Sequence, residues 1–438
     1  MLLLWTMLAP RTPDLAAAAY RVNLFKHLGF AVYDEHWYGG HDLPGYSLLF
    51  PPLAWLLGLH VVGALSVLAS TYCFERLAVG HFGRTARWAS VPFALAAVAD
   101  VWIGRLAFAL GLSFALAAVL ALAGGGGAGR VEVAAGDGGR AAGERAAGGA
   151  GAAGGAGVAG GAGVAARWRL PVAALLAAMC AAASPVAGVL LALAALSESL
   201  WRRSPRTLLV LALPAIFVVL ALAGLFPEGG SEPYPTISFL ATAAVVVTFA
   251  AALPRGQGRL RLGAAVYLLV CLLFLLVSTP MGSNVERYGV LLAGPLLLCA
   301  VAGARDEAAG FAGPAAGDGE RGGADGERGG LARGAWRSPA IALPVMAFAL
   351  WAVWAGWGPV RETLAVAGSP ATNGAYYAPV ERYLDAHARG PVRIEVPLTR
   401  THWETAELAP RVSLARGWEK QLDERYNGVL LSDGLNAA

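Results

Sequence analysis

The sequence predicts an all-α polytopic transmembrane bundle of about 10–11 spans, carrying a small α/β extracytoplasmic domain at its C-terminal end. Three observations carry this. The 438 residues are 57% hydrophobic, with only 14% charged, where a soluble domain carries about 25% charged residues. Mean hydropathy is +0.57. Apolar runs recur along the chain with short Arg-bearing loops between them, whereas the composition after residue 357 turns polar.

The first ten residues, MLLLWTMLAP, lack a basic n-region and a cleavage site, so they read as the stub of a first span and not as a signal peptide. Apolar runs then predict spans near 52–78, 86–101, 104–123, 170–183, 186–200, 207–226, 236–253, 262–279, 286–303 and 338–357. The pairs divided at Gly104-Arg105 and at Ser184-Pro185 could each be one kinked helix. Length favours two at the second, because the 31 residues from Leu170 to Leu200 at 1.5 Å per residue would reach about 46 Å. The Arg residues test the count. Arg84 and Arg87, then Arg202, Arg203 and Arg206, then Arg255, Arg259 and Arg261 fall on one side only if both pairs are two crossings. That side is then cytoplasmic. The opposite loops, PEGGSEPYP (227–235) and STPMGSNVER (278–287), carry few basic residues.

The resulting organisation is an N-terminal membrane module (1–123, with an external loop at 11–51), a Gly/Ala-rich flexible linker (124–167), a second membrane module (168–303), a Gly-rich flexible linker (304–337), a last transmembrane helix (338–357) and an external soluble domain (358–438), expected to be incomplete. The first linker holds a tandem GGAGVA repeat (154–159, 160–165) and the second DGERGGADGERGG; such chains bury too little to offset their ordering entropy. In the last domain, AYYAPVERYLDAHAR (375–389) reads as an amphipathic helix and VRIEVPL (392–398) as a short strand. The segments 399–410 and 415–427, rich in Trp, Glu and Arg, read as a solvated helix surface, as the lining of a carbohydrate groove or as a cover over the vestibule.

The four cysteines, Cys73, Cys180, Cys271 and Cys299, each sit inside an apolar run and read as small buried hydrophobes. Lys occurs only at Lys26 and Lys420, the other basic residues being Arg. A net charge of +4 suggests no nucleic acid; the Arg sits in short loops, where it reports topology, and the expected partners are membrane lipids.

Chemistry concentrates on the predicted outer face. In 12–29 an Asp at the helix cap position, Asp14, precedes an amphipathic pattern of Leu15, Tyr20, Leu24 and Leu28 suited to lying on a membrane surface. The next stretch packs Asp34, Glu35, His36, Trp37, Tyr38, His41 and Asp42 before a long apolar run. Asp100 and Arg105 flank one outer turn; Glu286 and Arg287 flank another. Carboxylates at Asp14, Asp34 or Glu35 suit deprotonation of an acceptor hydroxyl. Arg105 and Arg287 suit a phosphate, with His36, His41, Trp37, Tyr38, Asp100 and Glu286 as further substrate contacts. Blander readings stand beside these: Asp14 as a helix cap, the hairpin residues as interfacial hydrogen-bonding groups, and Asp100 and Arg105 as a simple ion pair. No spacing matches a metal template, so no metal is expected, and the residues imply no particular cofactor.

The motifs WYGGHDLPGYSLLFPP (37–52), GRLAFALG (104–111), SPVAG (184–188), SNVERYG (283–289) and RTHWETAELAP (400–410) resemble a group of actinobacterial polytopic integral membrane proteins. The layout of an external loop with an early Asp, many spans and a terminal external domain resembles the GT-C superfamily of glycosyltransferases. That resemblance implies a cell-membrane enzyme that transfers sugar from a polyprenyl-phosphate donor to an envelope glycan acceptor on the outer face. It places the catalytic acid or base in the first external loop, on Asp14, with Asp34 as second choice. The alternatives are a secondary transporter of the MFS type, disfavoured because the midplane stretches are nearly free of ionisable groups, and a non-catalytic envelope protein.

Overall fold

A computed structural model describes residues 2–124, 156–227, 230–311 and 339–432. Helices dominate. The N-terminal part contains α1 (Leu2–Leu8), α2 (Pro13–Leu28), α3 (Phe50–Leu57), α4 (Leu59–Phe82), α5 (Ser90–Trp102) and α6 (Leu106–Ala123). Then come α7 (Ala156–Ala183), α8 (Pro185–Arg202), α9 (Leu213–Leu225, after a π-helical turn at Leu208–Ala212), α10 (Thr236–Ala252), α11 (Gly258–Leu276) and α12 (Glu286–Phe311). The last part holds α13 (Pro339–Val366), α14 (Ala378–His387), α15 (Glu404–Glu407) and α16 (Lys420–Ser432).

Among the described residues, seven helical segments are long and apolar enough to cross a membrane: Leu59–Phe82, Leu106–Ala123, Pro185–Arg202, Leu208–Leu225, Gly258–Leu276, Gly282–Ala308 and Ile341–Val366. This is fewer than the 10–11 expected. The helix Thr236–Ala252 is apolar but shorter, and α5 has 13 residues, about 20 Å of rise. The passes still alternate between two ends of the bundle, as the end-to-end contacts show. At one end Arg259 reaches Glu198 and His81, and Thr85 donates to Asp306. At the other, Glu232 pairs with Thr279, and Leu48 N–H donates to Ala182. Arg84, Arg87, Arg202, Arg203, Arg206, Arg255, Arg259, Arg261 and Arg305 therefore share one end.

Local chemistry explains the two doubtful breaks. Ser184 is extended, its hydroxyl accepts from Ala187 N–H, and Pro185 occupies the first helical position. A Ser cap followed by Pro begins a helix, so α7 and α8 are separate. Between α5 and α6, Gly104 has φ +93° and presses on the backbone of Asp14 and Leu15. Small residues set the helix spacing elsewhere: Gly111 faces Ala187 and Ser184, and Gly188 faces Ala181, the close approach that membrane helices favour. The four cysteines are free and buried.

Several boundaries differ from expectation. Helix α7 begins at Ala156, inside the expected linker 124–167; the second GGAGVA repeat is part of it, since Ala offsets the helix cost of Gly. Residues 125–155 lie outside the described residues. Helix α12 runs to Phe311, into the expected linker 304–337, of which 312–337 lie outside the described residues. The last apolar helix runs to Val366, past the expected end at 357. The predicted strand 392–398 shrinks to Arg393–Ile394, paired in parallel with Ser413–Leu414. A two-residue ladder is too small to make a sheet layer, so the C-terminal region is built of short helices and loops packed on the N-terminal part. It packs there strongly. Trp37 bridges to Leu414, its indole Nε1 donates to Thr405 O at 3.0 Å, and Tyr38 donates to Glu419 O at 2.8 Å. The hairpin and the C-terminal segment thus share one end of the bundle.

Candidate functional site

The expected site residues divide into two clusters joined by α2. The first surrounds the start of that helix. Thr12 is the cap residue, extended at φ −80°, ψ 161°, and Pro13 opens the helix. Asp14 therefore stands inside the first turn and is not the cap. Its carboxylate turns away from the α2 backbone to Arg105, whose Nε donates to Oδ2 at 3.2 Å. Arg105 also reaches Asp100 Oδ1 from Nη1 at 3.4 Å. The Gly104 turn brings this about, since only a residue without Cβ lets that backbone lie against Leu15.

Arg287 completes the cluster. Its guanidinium lies over the Phe108 ring at 4.9 Å and donates to Asn284 Oδ1 at 2.5 Å. It sits within electrostatic reach of Arg105, Asp100 and Asp14. Two buried polar atoms here have no protein partner, Arg287 Nε and Asp100 Oδ2. The Asp14 and Arg105 side chains are 34% and 32% exposed, so the cluster is open to solvent on one side. Its neighbour Glu286 diverges: Thr242 Oγ1 donates to its Oε1 at 3.3 Å, and Tyr234 donates to Thr242. Consecutive helical residues point about 100° apart, which separates Glu286 from the Arg287 face.

The second cluster is the hairpin. Tyr33–Asp34 pairs antiparallel with His41–Asp42, and the turn closes tightly enough that a Cβ on Gly40 (φ +136°) would strike the Tyr33 hydroxyl. Asp34 is 2% exposed and well supplied with donors: Tyr20 hydroxyl to Oδ2 at 2.8 Å, His36 Nδ1 to Oδ1 at 2.6 Å, and His36 N–H to Oδ1 at 3.2 Å. His41 Nδ1 stands 3.7 Å from Oδ2. Burial, with the Arg21 guanidinium close by, pushes the His41 imidazole down to about 4 against the opposing pull of Asp34. Burial also raises the Tyr20 and Tyr38 phenols, with Asp34 adding to the first and Asp423 to the second. Trp37 is fully buried, stacked on Tyr20 at 4.5 Å and on His41 at 5.3 Å. Glu35 is exposed. His36 lines a shallow groove of about 450 Å³ with Leu384, Asp385 and Arg411.

Sequence reasoning missed the residues that join the clusters. Arg21, seven residues after Asp14 and so on the same helical stripe, pairs with Glu419 and stacks over Tyr46 at 3.9 Å and Trp37 at 5.2 Å. Tyr46 in turn feels Arg21, Asp14 and Arg287. A lone Arg in an Ala-rich helix was the available signal. The expectation that α2 lies on the membrane surface also changes. Leu15, Tyr20, Arg21 and Leu24 are buried, because the C-terminal segment covers the helix from the side opposite the bundle. Arg11 anchors that cover, at 2.8 Å from Glu407 and 4.3 Å over the Trp403 ring. Among the described residues no group of three His, Cys, Asp or Glu side chains is arranged to hold a metal ion. The chain matches no protein-family model, no curated protein and no solved structure.

Proposed function

We propose that the chain is a membrane glycosyltransferase that uses a polyprenyl-phosphate sugar on the outer face of the membrane, with the reaction at the Asp14 cluster. The observation that supports this is the pairing of Asp14 with the Arg105 guanidinium, beside Arg287, in a partly open site where Arg287 Nε and Asp100 Oδ2 lack protein partners. Buried polar groups are nearly always satisfied, so the two atoms mark where a polar ligand belongs. A phosphate suits the guanidinium forks.

In this reading the donor phosphate engages Arg287 and draws Arg105 from Asp14, which frees the carboxylate. An acceptor hydroxyl then attacks the anomeric carbon while Asp14 takes its proton. The bond from that carbon to the phosphate oxygen breaks, and the electron pair leaves with the polyprenyl phosphate, whose charge the arginines hold. Asp34 has no part in this sequence, since it is buried and held by donors from Tyr20 and His36. The side assignment follows from the Arg-rich opposite end, which would face the cytoplasm.

The test uses full-length protein in detergent with polyprenyl-phosphate sugars. Asp14→Asn should lower sugar transfer by about 10²–10⁴-fold while leaving the melting temperature close to wild type, and Arg287→Gln should weaken binding of polyprenyl phosphate. Wild-type protein that neither binds polyprenyl phosphate nor transfers sugar, together with unchanged envelope glycans in a deletion strain, would refute the reading.

A further inference from the structure

At the Arg-rich end, away from the site above, a cavity of about 570 Å³ opens among the ends of α10, α11, α12 and α13. This falls within the range of small-molecule sites. One wall is a stripe on α12, Val301, Ala304, Arg305 and Ala308, spaced so that all four share a face. The facing wall is Ile341, Leu343 and Pro344 of α13; the floor is the α10–α11 turn with Leu253, Pro254 and Arg255.

The arginines here differ from their neighbours. Arg202 and Arg259 share the carboxylate of Glu198. Arg261 is spent on the end of α10, donating to the carbonyls of Ala250, Leu253 and Arg255. Arg255 and Arg305 line the cavity exposed, and among the described residues no carboxylate pairs with either. The acidic residues that follow Arg305 on α12 point elsewhere: Asp306 accepts from Thr85, and neither it nor Glu307 lines the cavity.

We propose that this cavity holds the headgroup of an acidic phospholipid of the Arg-rich leaflet. Its phosphate lies between Arg255 and Arg305, and its acyl chains run along the apolar walls of α12 and α13. Two cations without a carboxylate partner among the described residues, beside an apolar trough that opens at the headgroup level, match an anionic amphiphile in both charge and shape. A soluble phosphate compound would leave the Val301, Ile341 and Leu343 surface unused. The proposal rests on the membrane-spanning bundle and is independent of the transferase reading.

Native mass spectrometry and titration of the full chain in phosphatidylcholine nanodiscs with added phosphatidylglycerol test it. Wild type should retain phosphatidylglycerol in preference to phosphatidylcholine. The double variant Arg255→Gln/Arg305→Gln should bind about thirtyfold more weakly, with an unchanged melting temperature in pure phosphatidylcholine. The variant Arg84→Gln/Arg206→Gln, which removes equal charge from the same end outside the cavity, should stay within about threefold of wild type, on the same per-charge reasoning. Equal losses in both double variants would reduce the effect to general surface charge and overturn the site. So would the absence of a lipid preference, or displacement of the lipid by free glycerol phosphate at equal concentration.

Discussion

At the scale of single residues, environment separates two aspartates that the sequence offered as first and second choice for one role. Asp14 meets a guanidinium at 3.2 Å with a third of its side chain exposed; Asp34 is shut in by Tyr20 and His36. The first can exchange its partner for a ligand, whereas the second cannot be reached without opening the hairpin. His41 makes that second cluster sensitive to acid. Its folded value near 4 lies below the ordinary 6.5, so the unfolded chain binds the extra proton first. Stability from this residue is present above pH 6.5 and is lost as pH falls toward 4. The full loss is on the order of 3 kcal/mol, from about 1.4 kcal/mol per pH unit. The groups facing the imidazole, Arg21, Asp34 and His36, set this balance. Melting temperatures of detergent-purified protein at pH 7.5 and pH 5 measure it. His41→Gln, neutral at both, should cut the difference by half or more; an unaltered difference would show that the acid sensitivity arises elsewhere.

At the scale of elements, the site is a meeting of helix ends, and the sequence marked those ends more clearly than their partners. Ser184-Pro185 opens a helix and Gly104 lies in the turn between α5 and α6, whereas the start of α2 lies at Thr12-Pro13 and not at Asp14. What punctuation cannot give is what a helix end packs against. Asp14 read as a cap because cap geometry is local, but its partner Arg105 lies 91 positions away. Tyr46 and Arg21 were missed for the same reason, since their roles come from Glu419 and the hairpin stack. The joint between α2 and the α5–α6 turn carries this arrangement. A Cβ at Gly104 would lie 2.3 Å from Leu15 N, at a φ of +93°. Gly104→Ala should therefore destabilise the protein by about 2–4 kcal/mol, combining left-handed strain with overpacking. It should also pull Arg105 from Asp14 and lower polyprenyl-phosphate binding. A melting temperature within about 1 °C of wild type would mean that α2 and the turn can part freely, since even 1 kcal/mol shifts a large domain by a few degrees.

At the scale of the whole molecule, the alternation of passes was legible because Arg placement obeys a rule that needs no tertiary contact. Lengths were less legible: α7 and α12 extend into Gly-rich sequence, where composition signalled a linker. The C-terminal region was legible as polar, with a cover over the vestibule as one of its readings, but its burial was not, because Leu414 and Trp403 acquire their partners from the hairpin and from Arg11. One consequence reaches across the molecule. The hairpin end and the C-terminal segment must face the same compartment, and the Arg-rich end must face the other. The native cysteines are buried, so wild type should label little with an impermeant thiol reagent, and introduced cysteines can be read without removing them. On intact cells Lys26→Cys and Arg389→Cys, both exposed, should label alike, while Arg206→Cys, exposed at the opposite end, should label only after the membrane is permeabilised. The reverse pattern would keep the bundle but invert it, placing the Asp14 cluster in the cytoplasm and removing an outer-face reaction. Labelling of Lys26→Cys and Arg389→Cys from different sides would contradict the Trp37–Thr405 and Arg11–Glu407 contacts, and with them the shared end on which the site is built.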